Sequence, residues 1–324
     1  DWSSDVCSSD LESHTFLLRP FHFFEMRVLY PEMSVEEQIL LYSITGGVPA
    51  YLQYFNSKLS IQDNIYHLFF QENGAFYRLV PARTREYYSA SSVMRSILLS
   101  MGQENKKLQE ICDYTGLTPS AASSLLLSLS SHNLAERMVP VTEEQSSRRA
   151  VYFISDSVFR FWYTYVLPYQ SEIEAGQGET VFNTLVLPSL DGYTKSTFET
   201  ICKEFLLLTD EMNNAPFPMK NVGKWWGQHP TKKRTEFISI AAYDNNKILL
   251  GSCFWTDEWI DIDALYNLQK HASLFPDMEK WYYLFSKSDF VSGFEVISGS
   301  HVHVFSLEQM CSISDKFYFS FANL

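Results

Sequence analysis

Few residues of this 324-residue chain combine a reactive type with a useful spacing. Carboxylates with suitable neighbours are Glu199, in an apolar-patterned stretch, and Glu236, Asp257 and Glu258, around a strand-like segment. Two carboxylates converging on one point hold a hard cation such as Mg²⁺, which then activates water or polarises a phosphoryl oxygen. His301 and His303 share one face of a strand, but a metal needs a third ligand and none is in sight. Asp261 and Asp263 read more simply as acidic caps at a helix start. Lys106, Lys107, Arg137, Arg148 and Arg149 are placed to meet phosphates, and Ser120, Ser123 and Ser124 to touch bases. No GxxxxGK[ST] occurs anywhere, so the chain lacks a phosphate cradle and is not expected to hydrolyse ATP alone.

These residues need elements to position them. Thr235 to Trp255 reads as two strands, Phe237–Ala242 and Ile248–Phe254, around an Asp244-Asn245-Asn246 turn. Before them lies an amphipathic helix, Tyr193 to Leu208, with Phe198, Ile201, Cys202 and Phe205 as its stripe. Strand-like Lys224–Gly227 and a basic loop, TKKR at 231–234, come next. After the strand pair follow a helix, a strand at Trp281–Ser286, a short helix and a last strand at His301–Phe305, giving the order α-β-β-β-α-β-α-β. Residues 86–153 read as a winged helix-turn-helix. Thr118 caps its third helix, Pro119 opens it, and a polar hairpin forms the wing. That segment holds six Lys/Arg against seven Asp/Glu, and its third helix carries no cation, so its DNA signal is weak. Asp156 to Tyr169 reads as an aromatic helix ending at Pro168, and polar residues 171–180 as a linker. Arg160 beside Phe161 and Trp162 can stack on nucleic acid, but a core helix bridging two domains is the simpler reading. At the other end, Ser34 and Glu37 form a capping box for a helix that Gly46-Gly47-Val48-Pro49 ends.

The net charge of −13 disfavours a general nucleic-acid binder, because phosphate contact needs a basic surface. Five cysteines without CxxC spacing point to reduced thiols and a cytoplasmic setting. No stretch is long and apolar enough to suggest a membrane span. Residues 1–11 have no hydrophobic period and match a translated sequencing adapter, so the natural protein is expected to begin upstream of Glu12.

Specific motifs carry a resemblance. Pro20-Phe21, the Ser34-x-Glu36-Glu37 helix, the GGVPAYL turn from Gly46, Asp156 with Arg160-Phe161-Trp162, Phe198-Glu199-x-Ile201-Cys202, Trp225-Trp226-Gly227 and Gly251-x-Cys253-x-Trp255 are together similar to a prokaryotic AAA-like ATPase family. That family carries a winged helix and then a restriction-endonuclease-like domain of unknown function, and the resemblance covers roughly residues 15–310. It implies an α+β multidomain chain: a helical ATPase-lid remnant and connector (12–85), a winged helix with a bridging helix (86–170), and a PD-(D/E)xK nuclease-like α/β domain (181–324). It implies that Gly46, Gly47 and Pro49 lie near a nucleotide base, the bland alternative being a Gly-Pro turn between helices. It also implies that ATP and Mg²⁺ belong to the longer parent, and that a missing N-terminal ATPase module is a partner.

The departures decide the expected function. Members that look active carry Glu-Ile-Asp on the first strand and Glu-Cys-Lys on the second. This chain has Phe237-Ile238-Ser239 and Ser252-Cys253-Phe254. Serine is a poor ligand for Mg²⁺ and phenylalanine cannot replace a lysine. Glu199, Glu236, Ser239, Ser252 and Phe254 are therefore read as vestigial positions, with neither a catalytic residue nor a metal expected. The chain is expected to be a non-catalytic module recognising DNA or an unidentified protein. The alternatives are a metal-dependent nuclease with relocated ligands and a winged-helix transcriptional regulator.

Overall fold

The computed structural model describes residues 19–88, 92–229, 234–297 and 300–322. The chain begins with α1 (Phe23–Arg27), α2 (Val35–Thr45), α3 (Pro49–Leu52), α4 (Ile61–Phe69) and α5 (Ala75–Tyr88). Ser34 and Glu37 cap α2 reciprocally, which satisfies two otherwise orphaned N–H groups. The helix ends on Gly46 (φ +59°), and Gly47 follows at φ +69°. A Cβ on Gly47 would stand 2.1 Å from the Phe21 carbonyl oxygen, so this turn is a close backbone approach that any side chain disrupts.

The segment read as a winged helix contains three helices and a strand pair: α6 (Ser92–Ser100), α7 (Leu108–Thr115), α8 (Pro119–Ser131), β1 (Ala135–Met138) and β2 (Val151–Ile154). Ile111, Cys112, Leu126 and Leu129 are buried between its helices. β1 and β2 pair antiparallel. The Lys106 backbone adds a third short piece by exchanging two hydrogen bonds with Tyr152, at 2.9 and 2.7 Å.

α9 (Ser157–Phe161) starts on Asp156, whose carboxylate accepts from the Phe159 N–H at 3.0 Å. The aromatic segment does not stop at Pro168. A π-helical turn (Trp162–Val166) and a 3₁₀ turn (Leu167–Tyr169) lead to α10 (Gln170–Glu172). A second π-helical turn, bent at Gly176, leads to α11 (Gly178–Val181), and then the same π and 3₁₀ sequence recurs before α12 (Leu190–Glu211). The recurrence is written in the residues: Thr-x-Val-Leu-Pro occurs at 164–168 and again at 184–188. Proline cannot donate to the carbonyl four residues back, so the helix widens before it rather than ending. In both copies the threonine hydroxyl donates to the carbonyl four residues before its own position, of Arg160 or Thr180, at 2.7 Å. The linker expected at 171–180 is thus helical. Its polar residues face water while Ile173 and Val181 are buried.

The last segment forms one mixed sheet of β3 (Asn221–Gln228), β4 (Thr235–Asp244), β5 (Lys247–Phe254), β6 (Glu279–Ser286) and β7 (Val302–Ser306), in that spatial order. β3, β4 and β5 run antiparallel, and β6 and β7 run parallel to β5. Between the strands lie α13 (Asp263–Gln269) and α14 (Phe294–Ile297), as the reading of element order required. A closing helix, α15 (Leu307–Ala322), was not anticipated. One hydrophobic core takes Phe24 and Ile39 from the first helices, Ile97 and Leu126 from the winged helix, Phe161, Phe205, and Leu249 and Phe285 from the sheet. A second, smaller core packs Trp225, Ile238 and Leu250 against Leu265 and Leu268 of α13.

Candidate functional site

Where the three segments meet, a cleft of about 740 Å³ opens. Gly46 lines it from the first helices, Glu136, Met138 and Phe153 from the winged helix, Arg160 from α9, Tyr193 to Lys203 from α12, and Lys224, Ser239 and Ile240 from the sheet. The sheet contributes two consecutive residues because β4 bulges. Gly223 pairs with Ala241 and Trp225 with Ile238, so β4 carries one residue more than β3 over this step. The extra residue turns both Ser239 and Ile240 towards the cleft.

Arg160 is held in place without a carboxylate. Its Nε donates to Tyr193 Oη at 3.1 Å, and one Nη donates to the Ser43 carbonyl at 3.3 Å and to Thr197 Oγ1 at 3.4 Å. The guanidinium carbon lies 5.0 Å from the Tyr193 ring centroid, within cation–π range. Glu199 forms an ion pair with Lys224. Nearby, Tyr51 Oη donates to Asp156 at 2.6 Å and Arg83 donates to Tyr51 Oη at 3.1 Å. Burial pushes the Asp156 carboxyl above its usual range, against the pull of these donors. Further along α12, Glu204 accepts from the Phe23 N–H at 2.9 Å and from Tyr42 Oη at 2.6 Å, and lies 3.3 Å from His22 Nδ1. The hydrogen bond to Glu204 raises the His22 pKa.

The structure brings only part of the expected nuclease set together. Glu199 and Ser239 line the same cleft, together with Gly46 from the expected nucleotide site. Glu236 does not: it faces the α13 side, 2.7 Å from Arg234 Nε and 3.4 Å from His271 Nε2. The Arg234 hydrogen bond holds its carboxyl below the usual range. Ser252 and Phe254 are also misplaced as partners of Ser239. Ile240 pairs with Gly251 on the α12 face, and side chains alternate along a strand, so Ser252 and Phe254 point the other way. Phe254 packs on the core beneath α13, whereas Cys253 packs on the α12 side. There burial pushes the Cys202 thiol well up, with the Cys253 thiol adding to the effect. The α12-side positions of β5 are thus Gly251 and Cys253, and a Cβ on Gly251 would lie 3.1 Å from the Ile240 Cβ. Asp257 is paired with Lys287 at 2.6 Å. His301 and His303 stack side by side on Trp281 and Tyr283, with ring centroids 4.6 and 4.8 Å apart. Among the described residues no three His, Cys, Asp or Glu side chains are placed to hold a metal.

The expected DNA-contacting residues divide as well. Arg149 is not free for phosphate. It forms an ion pair with Glu143, and the wing that carries it docks on β3. In that contact Val141 N–H donates to the Lys224 carbonyl at 2.9 Å, Trp225 Nε1 to Thr142 Oγ1 at 3.1 Å, and Trp226 Nε1 to the Arg149 carbonyl at 3.0 Å. Arg137 donates to the wing carbonyls of Gln145 and Ser147. Lys106 is paired with Glu104, and Lys107 opens α7 with its N–H on Glu110. Arg148, Lys107, Ser120 and Ser124 are exposed and Ser123 is half-buried. Leu127 sits on the outer face of α8 at 72% exposure. Of the remaining nucleotide-site residues, Gly47 packs on Phe21 and Pro49 begins α3. The basic loop at 231–234 lies outside the described residues except for Arg234. Lys195 and Lys203 were missed as cleft residues. Their signal was present in the sequence, since 195, 199 and 203 fall on one helix face.

Residues 162–270, which span the repeated proline turns, α12 and the β3–β5 unit, match a family described as archaeal and bacterial proteins of unknown function, DUF234. An uncharacterized protein of Methanocaldococcus jannaschii is 27% identical over 277 residues, covering 83% of this chain. The chain spans 60% of that relative's length. Among solved structures, a Vibrio cholerae protein overlaps 76% of this chain and 55% of its own, at 12% identity and a TM-score of 0.31. The Bordetella bronchiseptica regulator BpsR, described for control of its DNA binding by 6-hydroxynicotinic acid, overlaps 35% of this chain and 83% of its own, at 14% identity and a TM-score of 0.22. Lactococcus lactis ZitR overlaps 43% of this chain and 95% of its own, at 13% identity and a TM-score of 0.22. No helix among the described residues is long and apolar enough to cross a membrane.

Proposed function

We propose that this chain is the non-catalytic recognition part of a longer ATPase-family protein, and that it engages a protein partner rather than cutting nucleic acid. The observation that carries this reading is the composition of the cleft where a nuclease would hold its cation. Its sheet-side residues are Gly223, Lys224, Ser239 and Ile240, and its one helix carboxylate nearby, Glu199, is neutralised by Lys224. A hard divalent cation needs several oxygen ligands, usually including carboxylates, and this set offers one engaged carboxylate and a hydroxyl. A protein partner is favoured over DNA because the wing is spent on β3 and the outer face of α8 presents serines and Leu127 without a cation. The nucleotide-hydrolysing module, with its ATP and Mg²⁺, belongs in this reading to the part of the relative's length that this chain does not span.

The test is incubation of the chain with plasmid and linear DNA in Mg²⁺ or Mn²⁺, with Glu199→Ala as control. No cleavage is expected. Cleavage that Glu199→Ala removes would establish the relocated-ligand nuclease instead. Salt-dependent DNA binding lost when Lys107 and Arg148 are changed to Ala would establish the winged-helix regulator.

A further inference from the structure

We propose that Cys202 and Cys253 close into a reversible disulfide on exposure to a peroxide, fastening α12 to β5 behind one wall of the cleft. The inference is independent of what the cleft recognises. Placement is the first reason. Cys202 belongs to the apolar stripe of α12 and is fully buried. Cys253 is half-buried on the α12 side of β5. The helix crosses the strand at this point. One turn before Cys202, Phe198 packs on Trp255, two residues beyond Cys253, with ring centroids 5.2 Å apart. Just short of a turn after it, Phe205 packs on Phe285 with centroids 6.5 Å apart, and Phe285 is the β6 residue paired with Cys253. Trp255 Nε1 also donates to Asp191 at 2.8 Å, which holds the strand end to the start of α12. These contacts bracket the two cysteines, and their thiols lie in hydrogen-bond contact. A disulfide forms without backbone movement only where the two side chains already face each other.

The second reason is the division of labour between the two sulfurs. Burial pushes the Cys202 thiol well above its usual range, so it stays protonated and is a poor first target. Cys253, half-buried, is the sulfur that a small oxidant reaches. There the peroxide O–O bond breaks, an S–O bond forms and water leaves, giving a sulfenic acid. The Cys202 sulfur then attacks the Cys253 sulfur. The S–S bond forms, the S–O bond breaks, and the hydroxide leaves as water with the Cys202 proton. In sum, two thiols and one peroxide give one disulfide and two waters. Contact offsets the low acidity of Cys202, because the attack is intramolecular. Position gives the consequence. Glu199, Thr200 and Lys203, which flank Cys202 on α12, line the cleft, so oxidation ties that wall to the sheet and reduction frees it. Disulfides of reducing compartments are usually transient ones of this kind.

Brief treatment of the full chain with a small excess of hydrogen peroxide, then alkylation in denaturant, intact mass and peptide mapping, tests this. The proposal expects the loss of two hydrogens' mass, a linked peptide pair containing Cys202 and Cys253, and Cys112 and Cys311 still open to alkylation. Dithiothreitol should restore the starting mass, and the linked form should show a higher urea midpoint than the reduced one. Cys253→Ser, treated alike, should keep Cys202 as a free thiol. Three results of the mapping overturn the proposal: Cys202 and Cys253 both alkylated, Cys253 halted as a sulfinic acid beside a reduced Cys202, or either sulfur joined to another cysteine. An unchanged urea midpoint in the linked form, or oxidation of Cys202 in Cys253→Ser, overturns it as well.

Discussion

The two faces of the five-stranded sheet are built on different principles. Beneath α13, Ile238, Leu250, Leu265, Leu268 and Leu284 close into a dry layer. On the α12 face the same strands begin as core, with Ala242 and Leu249 fully buried, and then open. The opening coincides with the bulge at Ser239-Ile240 and with Gly251 opposite it. One face supplies stability. The other has given up a stretch of packing to make a cleft of mixed polar and apolar lining, which is how binding sites are commonly built.

That contrast can be broken in order of expected effect. Leu250→Ala, in the closed layer, should cost about 3 kcal/mol through lost burial and a residual cavity, read as a lower urea midpoint. Asp156→Ala, at the cleft's rim, removes a helix cap and strands the Tyr51 hydroxyl, and roughly 2 kcal/mol is expected by the same measurement. Arg149→Ala, where the wing meets β3, should cost about 1 kcal/mol and leave any DNA affinity unchanged. A fall in DNA affinity with a shallower salt dependence would instead assign the wing to phosphate contact. Ser239→Ala, inside the cleft, should stay within about 0.5 kcal/mol of wild type.

The smallest effect is pH-dependent. The folded-state pKa of His22 is raised above its usual 6.5 by Glu204. Its contribution is therefore complete below that value and disappears as pH climbs through the raised pKa. The difference in melting temperature between wild type and His22→Gln should be largest near pH 5.5 and shrink steadily as the solution is made alkaline. Because His22 is about half exposed, the difference should amount to a degree or two at most. A gap that widens towards alkaline pH would show that Glu204 does not act through this histidine.

Much of the architecture was legible in the residues themselves. Ser34 with Glu37, Thr118 with Pro119, the stripe of α12 and the Asn245-Asn246 turn are local signals, decided within a few residues by caps, periodicity and backbone preference. The bridge from Ser157 to α12 was harder. Pro168 and polar residues 171–180 carry the marks of a break and a linker, yet the paired Thr-x-Val-Leu-Pro segments turn both prolines into widened helix. The site was least legible. Which side of β5 faces the cleft depends on strand register, and a single bulge in β4 changes what lies beside what without altering composition. Whether Arg149 is available depends on a strand seventy-odd positions away, with Trp226 bonded to its carbonyl. Sequence alone determined most of the caps, helices and strands, because those preferences are local, though neither the helical bridge at 171–180 nor α15. Only the tertiary structure decided which charges are already matched, as Glu199 is by Lys224 and Asp257 by Lys287, because pairing is settled by neighbours distant in the chain.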